Sequence, residues 1–260
     1  MKIKTLACLV MLAISIISCS SDDSGETITG TGTILIEFDN AYQDSDLLLG
    51  SSSYNASGTE KIKISKVKYI ISNIKLEDED GNVYVVPKNE SYFIIDESNE
   101  DSQMIELSDV PAANYTKITY GLGVDQAKYL EGANGQGDFL IKAQEAGMMW
   151  SWQAGYKFFV FEGLYTSATT TTETAFAYHM GSHGSSLDNY KEVSMSFANT
   201  ARVRTNMSPI IHIVADLSNT LMGTTVFKLD DAPQIHVDAV KSPQIATNIS
   251  AMFTVHHIHN

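Results

Sequence analysis

The chain has 260 residues with 17 basic and 31 acidic side chains, a formal net charge of −14 at pH 7. Such a surface repels phosphate backbones and anionic headgroups, which argues against nucleic-acid binding and leaves cations as the favoured charged partners. Its two cysteines, Cys8 and Cys19, both stand near the start, so a metal site further along must use histidine, carboxylate, methionine or carbonyl donors.

Met1-Lys2-Ile3-Lys4 and the apolar stretch 5–17 read as a secretory signal, too short and wrongly flanked to be a membrane span. It closes on Ile16-Ile17-Ser18-Cys19, which resembles a bacterial lipobox. That resemblance implies cleavage after residue 18 and acylation of Cys19, giving stable membrane anchoring through several acyl chains. Residues 19–32 then form a polar tether, acidic at Asp22, Asp23 and Glu26. Acidic residues in this place resemble the signal that sends Bacteroidota lipoproteins to the outer face of the outer membrane. The expected location is the cell envelope, as an outer-membrane lipoprotein on its periplasmic or surface-exposed side.

The remainder, 33–260, reads as one domain without internal repeats. Residues 33–38, 61–64 and 67–71 are apolar or alternating strands. Asp80-Gly81 stands between the strand runs 74–76 and 83–86, a hairpin signal because the turn needs positive φ. Further strands are expected at 92–95, 117–120, 156–161, 176–179, 193–197, 210–214 and 234–237. Helical signals are few: 138–146, stopped by Gly147, and 245–252. Residues 166–174 are threonine-rich and read as an exposed loop. Many short strands with turns between them predict an all-β fold, a single β-sandwich with a few short helices.

Enzyme signatures are absent: there is no phosphate loop, nucleophile elbow or HExxH. Gly121-Leu122-Gly123 lacks the third glycine of a dinucleotide fingerprint and reads as a tight strand exit. A non-enzymatic protein is the expectation. The tryptophans, Trp150 and Trp152, stand two apart, so a strand would set them side by side on one face. All seven histidines fall in the second half, from His179 onward. His179 and His183 have helical spacing, but Gly181 and Gly184 make a helix there improbable. His212, in an apolar run, reads as a satisfied core histidine. His236 alternates with Ile235 and Val237 and is expected to point away from the core. His256, His257 and His259 crowd the tail.

In this order the chain carries Tyr69-Ile70-Ile71-Ser72-Asn73-Ile74-Lys75-Leu76, the Asp80-Gly81 hairpin and Tyr120-Gly121-Leu122-Gly123-Val124-Asp125. Then come the Met-x-Trp-x-Trp-x-x-Gly-Tyr-Lys run from Met148, Phe161-Glu162-Gly163 and Tyr178-His179-Met180-Gly181. The series resembles the MbnP-like copper-binding proteins of bacterial envelopes, over roughly residues 33–255. The resemblance implies a β-sandwich that binds one copper ion through histidine and a kynurenine made from tryptophan, with a di-haem oxidase as partner. Carried onto this chain, His179 becomes a copper ligand and Trp150 or Trp152 the modified residue, with His183 a further candidate ligand. Relatives often carry a histidine shortly after the first strand, where this chain has Phe38-Asp39-Asn40-Ala41. A second donor would come from Asp39, Asn40 or Asp44, or from His183 or the tail histidines. The expected role is copper uptake or storage; the rival is a metal-free protein- or glycan-binding surface lipoprotein on the same fold.

Overall fold

The structure is a computed structural model that describes residues 28–150, 155–182 and 187–260. The first strand, β1 (Thr31–Tyr42), buries Ile34, Ile36 and Phe38 and turns Leu35, Glu37 and Asp39 outward. Two short strands, β2 (Ser45–Asp46) and β3 (Tyr54–Asn55), precede β4 (Lys61–Asp78), which joins the three strand runs expected at 61–64, 67–71 and 74–76. Their union runs through register shifts against the neighbouring strands at Ile64/Lys66 and Ser72/Lys75. β5 (Val83–Val85) completes the expected hairpin, with Gly81 at φ +84° and Asp78 Oδ1 accepting from the amides of Asp80 and Asn82. β6 (Tyr92–Asp96), β7 (Met104–Pro111) and β8 (Ala113–Leu122) follow.

Three short helices come next: α1 (Gln126–Leu130), α2 (Gly132–Gln136) and α3 (Asp138–Glu145). The chain continues through β9 (Phe159–Thr166), β10 (Thr174–Met180), β11 (Lys191–Val203) and β12 (Ile210–Asp216). It ends with α4 (Asn219–Met222), β13 (Gln234–Ile235), α5 (Lys241–Ser250) and β14 (Phe253–His259).

The strands form two sheets that do not close into a barrel, an all-β sandwich as the sequence leads one to expect. In the smaller, the order is β14-β12-β1, with β2 and β7 both on the far edge of β1. The larger runs β11-β8-β4-β9-β10-β13, and β3, β5 and β6 also pair with β4. Between the sheets, Phe38 and Phe253 meet Tyr69 and Tyr120 with ring centroids 5.5–6.1 Å apart, mostly edge to face.

Several expectations need correcting. β9 starts at Phe159 rather than at 156, because the preceding residues fold back as a hairpin, described below. The last helix begins at Lys241, not 245: Asp238 Oδ1 accepts from the amides of Val240 and Lys241 and starts the turn early. The histidine-rich tail is a full strand, β14, because it pairs along β12. Among the described residues no helix is long and apolar enough to cross a membrane.

Candidate metal centre

Strand alternation in β10 buries Phe176, Tyr178 and Met180 and turns His179 to the outer face of the large sheet. On β9, alongside, Glu162 turns the same way, and His179 Nε2 lies 2.7 Å from Glu162 Oε1. A carboxylate only accepts, so Nε2 carries the proton and Nδ1 is left with its lone pair. Glu162 is itself held by Lys66 Nζ at 2.9 Å.

β13 pairs with β10 in parallel, Ala177 beside Gln234 and Tyr178 beside Ile235. The next residue in each segment is a histidine. His236 Nδ1 lies 3.0 Å from His179 Nδ1, with ring centroids 4.6 Å apart. Two nitrogens bound to one ion at about 2 Å each would stand about 3.3 Å apart in tetrahedral geometry, close to this spacing.

Trp150 covers the pair, its ring centroid 6.1 Å from His179 and 6.5 Å from His236. It is placed by a narrow hairpin rather than by a strand: Met149 bridges Tyr156, Trp150 N donates to Gly155 O, and Lys157 N to Met148 O. Gly181 lets the pieces meet: a Cβ there would come within 2.2 Å of Tyr156 O. Lys157 Nζ stands 5.5 Å above the Trp150 ring.

Burial lowers the His179 imidazole from its ordinary value; Glu162 opposes this, and Lys157 and His236 reinforce it. The ring is therefore neutral near pH 7, the form that ligates metal. Burial alone would raise the Glu162 carboxyl, but Lys66 and His179 outweigh it and hold the group below its usual range.

His179, the expected ligand, and Trp150 are thus brought together. Trp152 and His183 lie outside the described residues, as does Cys19. The N-terminal donors do not reach this site. Asn40 is buried, giving its amide to Glu97 Oε2 and accepting from Tyr69 OH; Asp44 is exposed; Asp39 stands on the small sheet beside His212, at 3.3 Å. The residue that meets His179 is His236, for which no ligand role is expected from the sequence. It does leave the core, as expected, but toward His179. Only its place in the parallel register with β10 reveals that. His212 is no core histidine either: alternation in β12 buries Ile211 and Ile213 and puts His212 on the outer face.

The MbnP family model matches residues 31–239. This chain belongs to the MbnP family. The family is associated with copper binding. No curated protein matches it in sequence. Among solved structures, MbnP from Methylosinus trichosporium aligns with 81% of this chain and 82% of that chain, at 14% identity and a TM-score of 0.48.

The residues present suit copper as a ligand. Two imidazoles offer Nδ1 toward one point, one of them fixed from behind by a carboxylate. The Trp150 indole nitrogen is a donor only and cannot coordinate unless the ring is opened.

Proposed function

We propose that this chain is a non-enzymatic copper-binding lipoprotein of the cell envelope, acting in copper uptake or storage. The observation that carries the reading is the convergence of His179 Nδ1 and His236 Nδ1 at 3.0 Å under Trp150, with Glu162 holding the far nitrogen of His179. Copper is the cargo. His179 and His236 hold it, Glu162 sets the tautomer, and Trp150 with the hairpin excludes water.

We take Trp150, which lies over the two imidazoles, as the residue converted to kynurenine, with Trp152 the alternative. A four-electron oxidation that cleaves the indole C2–C3 bond and adds one water-derived oxygen to each carbon, followed by hydrolysis of the resulting formamide by a further water, releases the formyl carbon as formate and leaves an aryl amine. The partner di-haem oxidase supplies the oxidation. That amine would face the two imidazoles and complete a nitrogen donor set. Attachment to the outer membrane is through acylated Cys19 and the tether behind it.

The test is a Cu(I) and Cu(II) titration of the chain purified from its native envelope, beside His179→Ala and His236→Ala. A tight copper equivalent that both variants weaken at least tenfold is expected. Equal affinity in all three would remove these residues from the site. Peptide mass analysis of residues 148–157 reads whether Trp150 or Trp152 is oxidised.

A further inference from the structure

A second histidine cluster lies on the outer face of the small sheet, away from the β10–β13 edge. Its cause is a β-bulge. Along β12 and β14, His212 pairs with His257 and Ile213 with Val255, so His256 is the extra residue. In a bulge two residues oppose one. Here the two are His256 and His257, and both rings turn to His212, with centroids 5.4 and 4.6 Å from it.

The nitrogens converge in one sense. His257 Nδ1 lies 3.3 Å from His212 Nδ1 and 2.8 Å from His256 Nδ1. The candidate ligand atoms of the three residues all fall within 4.8 Å of one another. Each of these Nδ1 contacts needs a proton between its two nitrogens to be favourable, and the single Nδ1 of a neutral His257 cannot serve both fully. A cation among them would satisfy all three at once.

The outward nitrogens are held from behind. His212 Nε2 stands 3.3 Å from Asp39 Oδ2, and His257 Nε2 hydrogen-bonds His259 Nε2 at 2.7 Å. A proton on each Nε2 leaves the Nδ1 lone pair for a metal, the arrangement in which partners behind a ligand fix its tautomer. Glu37, in register with His212 on β1, adds negative charge on the same face.

We propose that His212, His256 and His257 form a second metal site, for a divalent first-row cation that prefers imidazole, with Asp39 and His259 as positioning residues. Among such ions Cu(II) binds most tightly to a given nitrogen site and Zn(II) also suits imidazole, whereas calcium and magnesium want oxygen. The site is independent of the one under Trp150: it shares no residue with it and lies on the other sheet. Its fourth position opens to solvent, because His256 and His259 are exposed.

The experiment is a titration of the full chain carrying His179→Ala with Cu(II), Zn(II) and Ca(II) separately. The same titrations are made with His256→Gln/His257→Gln added, and with Asp39→Asn added. The proposal expects one equivalent of Cu(II) and of Zn(II), no Ca(II), and loss of roughly 100-fold or more in affinity when both tail histidines are replaced. Asp39→Asn should cost roughly 10–100-fold, the usual effect of a partner behind a ligand. Nitrogen hyperfine structure in the Cu(II) resonance spectrum should fall with the double variant. Affinity unchanged by the double replacement overturns the site, as does Ca(II) bound as well as Zn(II). Circular dichroism of each variant confirms that its fold is kept, since His256 is exposed and its replacement by glutamine leaves the strand pairing in place.

Discussion

At the residue scale, the proposed copper site rests on one side chain that would not touch the ion. Glu162 removes ambiguity from His179 by accepting the hydrogen bond from its Nε2–H, so the Nδ1 lone pair has a single direction. Glu162→Gln keeps the shape but can also offer its amide N–H, and the tautomer is no longer enforced. Copper affinity is expected to fall roughly 10–100-fold with the melting temperature nearly unchanged, read by competition titration beside a thermal melt. Glu162 was visible in the sequence only as part of a Phe-Glu-Gly string. Its role comes from cross-strand pairing, in which Glu162 faces Ala177 while its carboxylate reaches His179 two residues along β10.

At the element scale, the turn from β8 into α1 is held by Asp125. Its Oδ2 accepts from Tyr92 OH at 2.6 Å and Asn73 Nδ2 at 2.9 Å; its Oδ1 meets Lys88 Nζ at 2.8 Å and the Lys128 amide at 3.1 Å. The knot ties β4, β6 and α1 together, with Asn73 in the left-handed region at φ +51°. Burial would raise this carboxyl, but the hydrogen bonds from Lys88, Tyr92, Asn73 and the Lys128 amide outweigh it and hold it well below the carboxylate range. The folded-state pKa is depressed, so the stabilisation is full above the unfolded value near about 4 and is lost as pH falls through the folded one. Asp125→Ala should cost about 2–3 kcal/mol at pH 7, in line with charged hydrogen bonds and orphaned partners. Urea melts from pH 7 down to 2 should show a shallower acid decline for the variant than for the parent chain. The sequence showed a tight strand exit at Gly121-Leu122-Gly123, but not that the following Asp would cap a helix and gather three other segments.

At the scale of the whole molecule, the sandwich is joined by aromatic side chains from both sheets. Phe38, with no exposed surface, meets Tyr69, Tyr120 and Phe253. Phe38→Ala removes a ring that the neighbours cannot replace and should cost about 3–5 kcal/mol. The denaturant midpoint should drop while the slope holds, since the surface exposed on unfolding stays nearly the same. A falling slope would mean that the sheets no longer unfold as one unit. Copper added at saturation should raise the midpoint of a His256→Gln/His257→Gln chain and not that of the same chain with His179→Ala/His236→Ala added, because only a bound folded state gains from mass action.

The sequence by itself determined the sandwich class, most strand positions, the Asp80-Gly81 hairpin and the motif order that marks the family. These follow from alternation, turn chemistry and glycine placement, which act over a few neighbouring residues. It also marked His179, His183 and the Trp150/Trp152 pair as candidates. It could not find His236, 57 residues from its partner, nor see that His212 and His257, 45 apart, share one face. Those meetings are decided by which strands pair, in which direction and in what register. A shift of one residue would turn each histidine to the other face of its sheet. Register is set by the burial of whole strands against one core, so both histidine clusters exist only once the two sheets have packed.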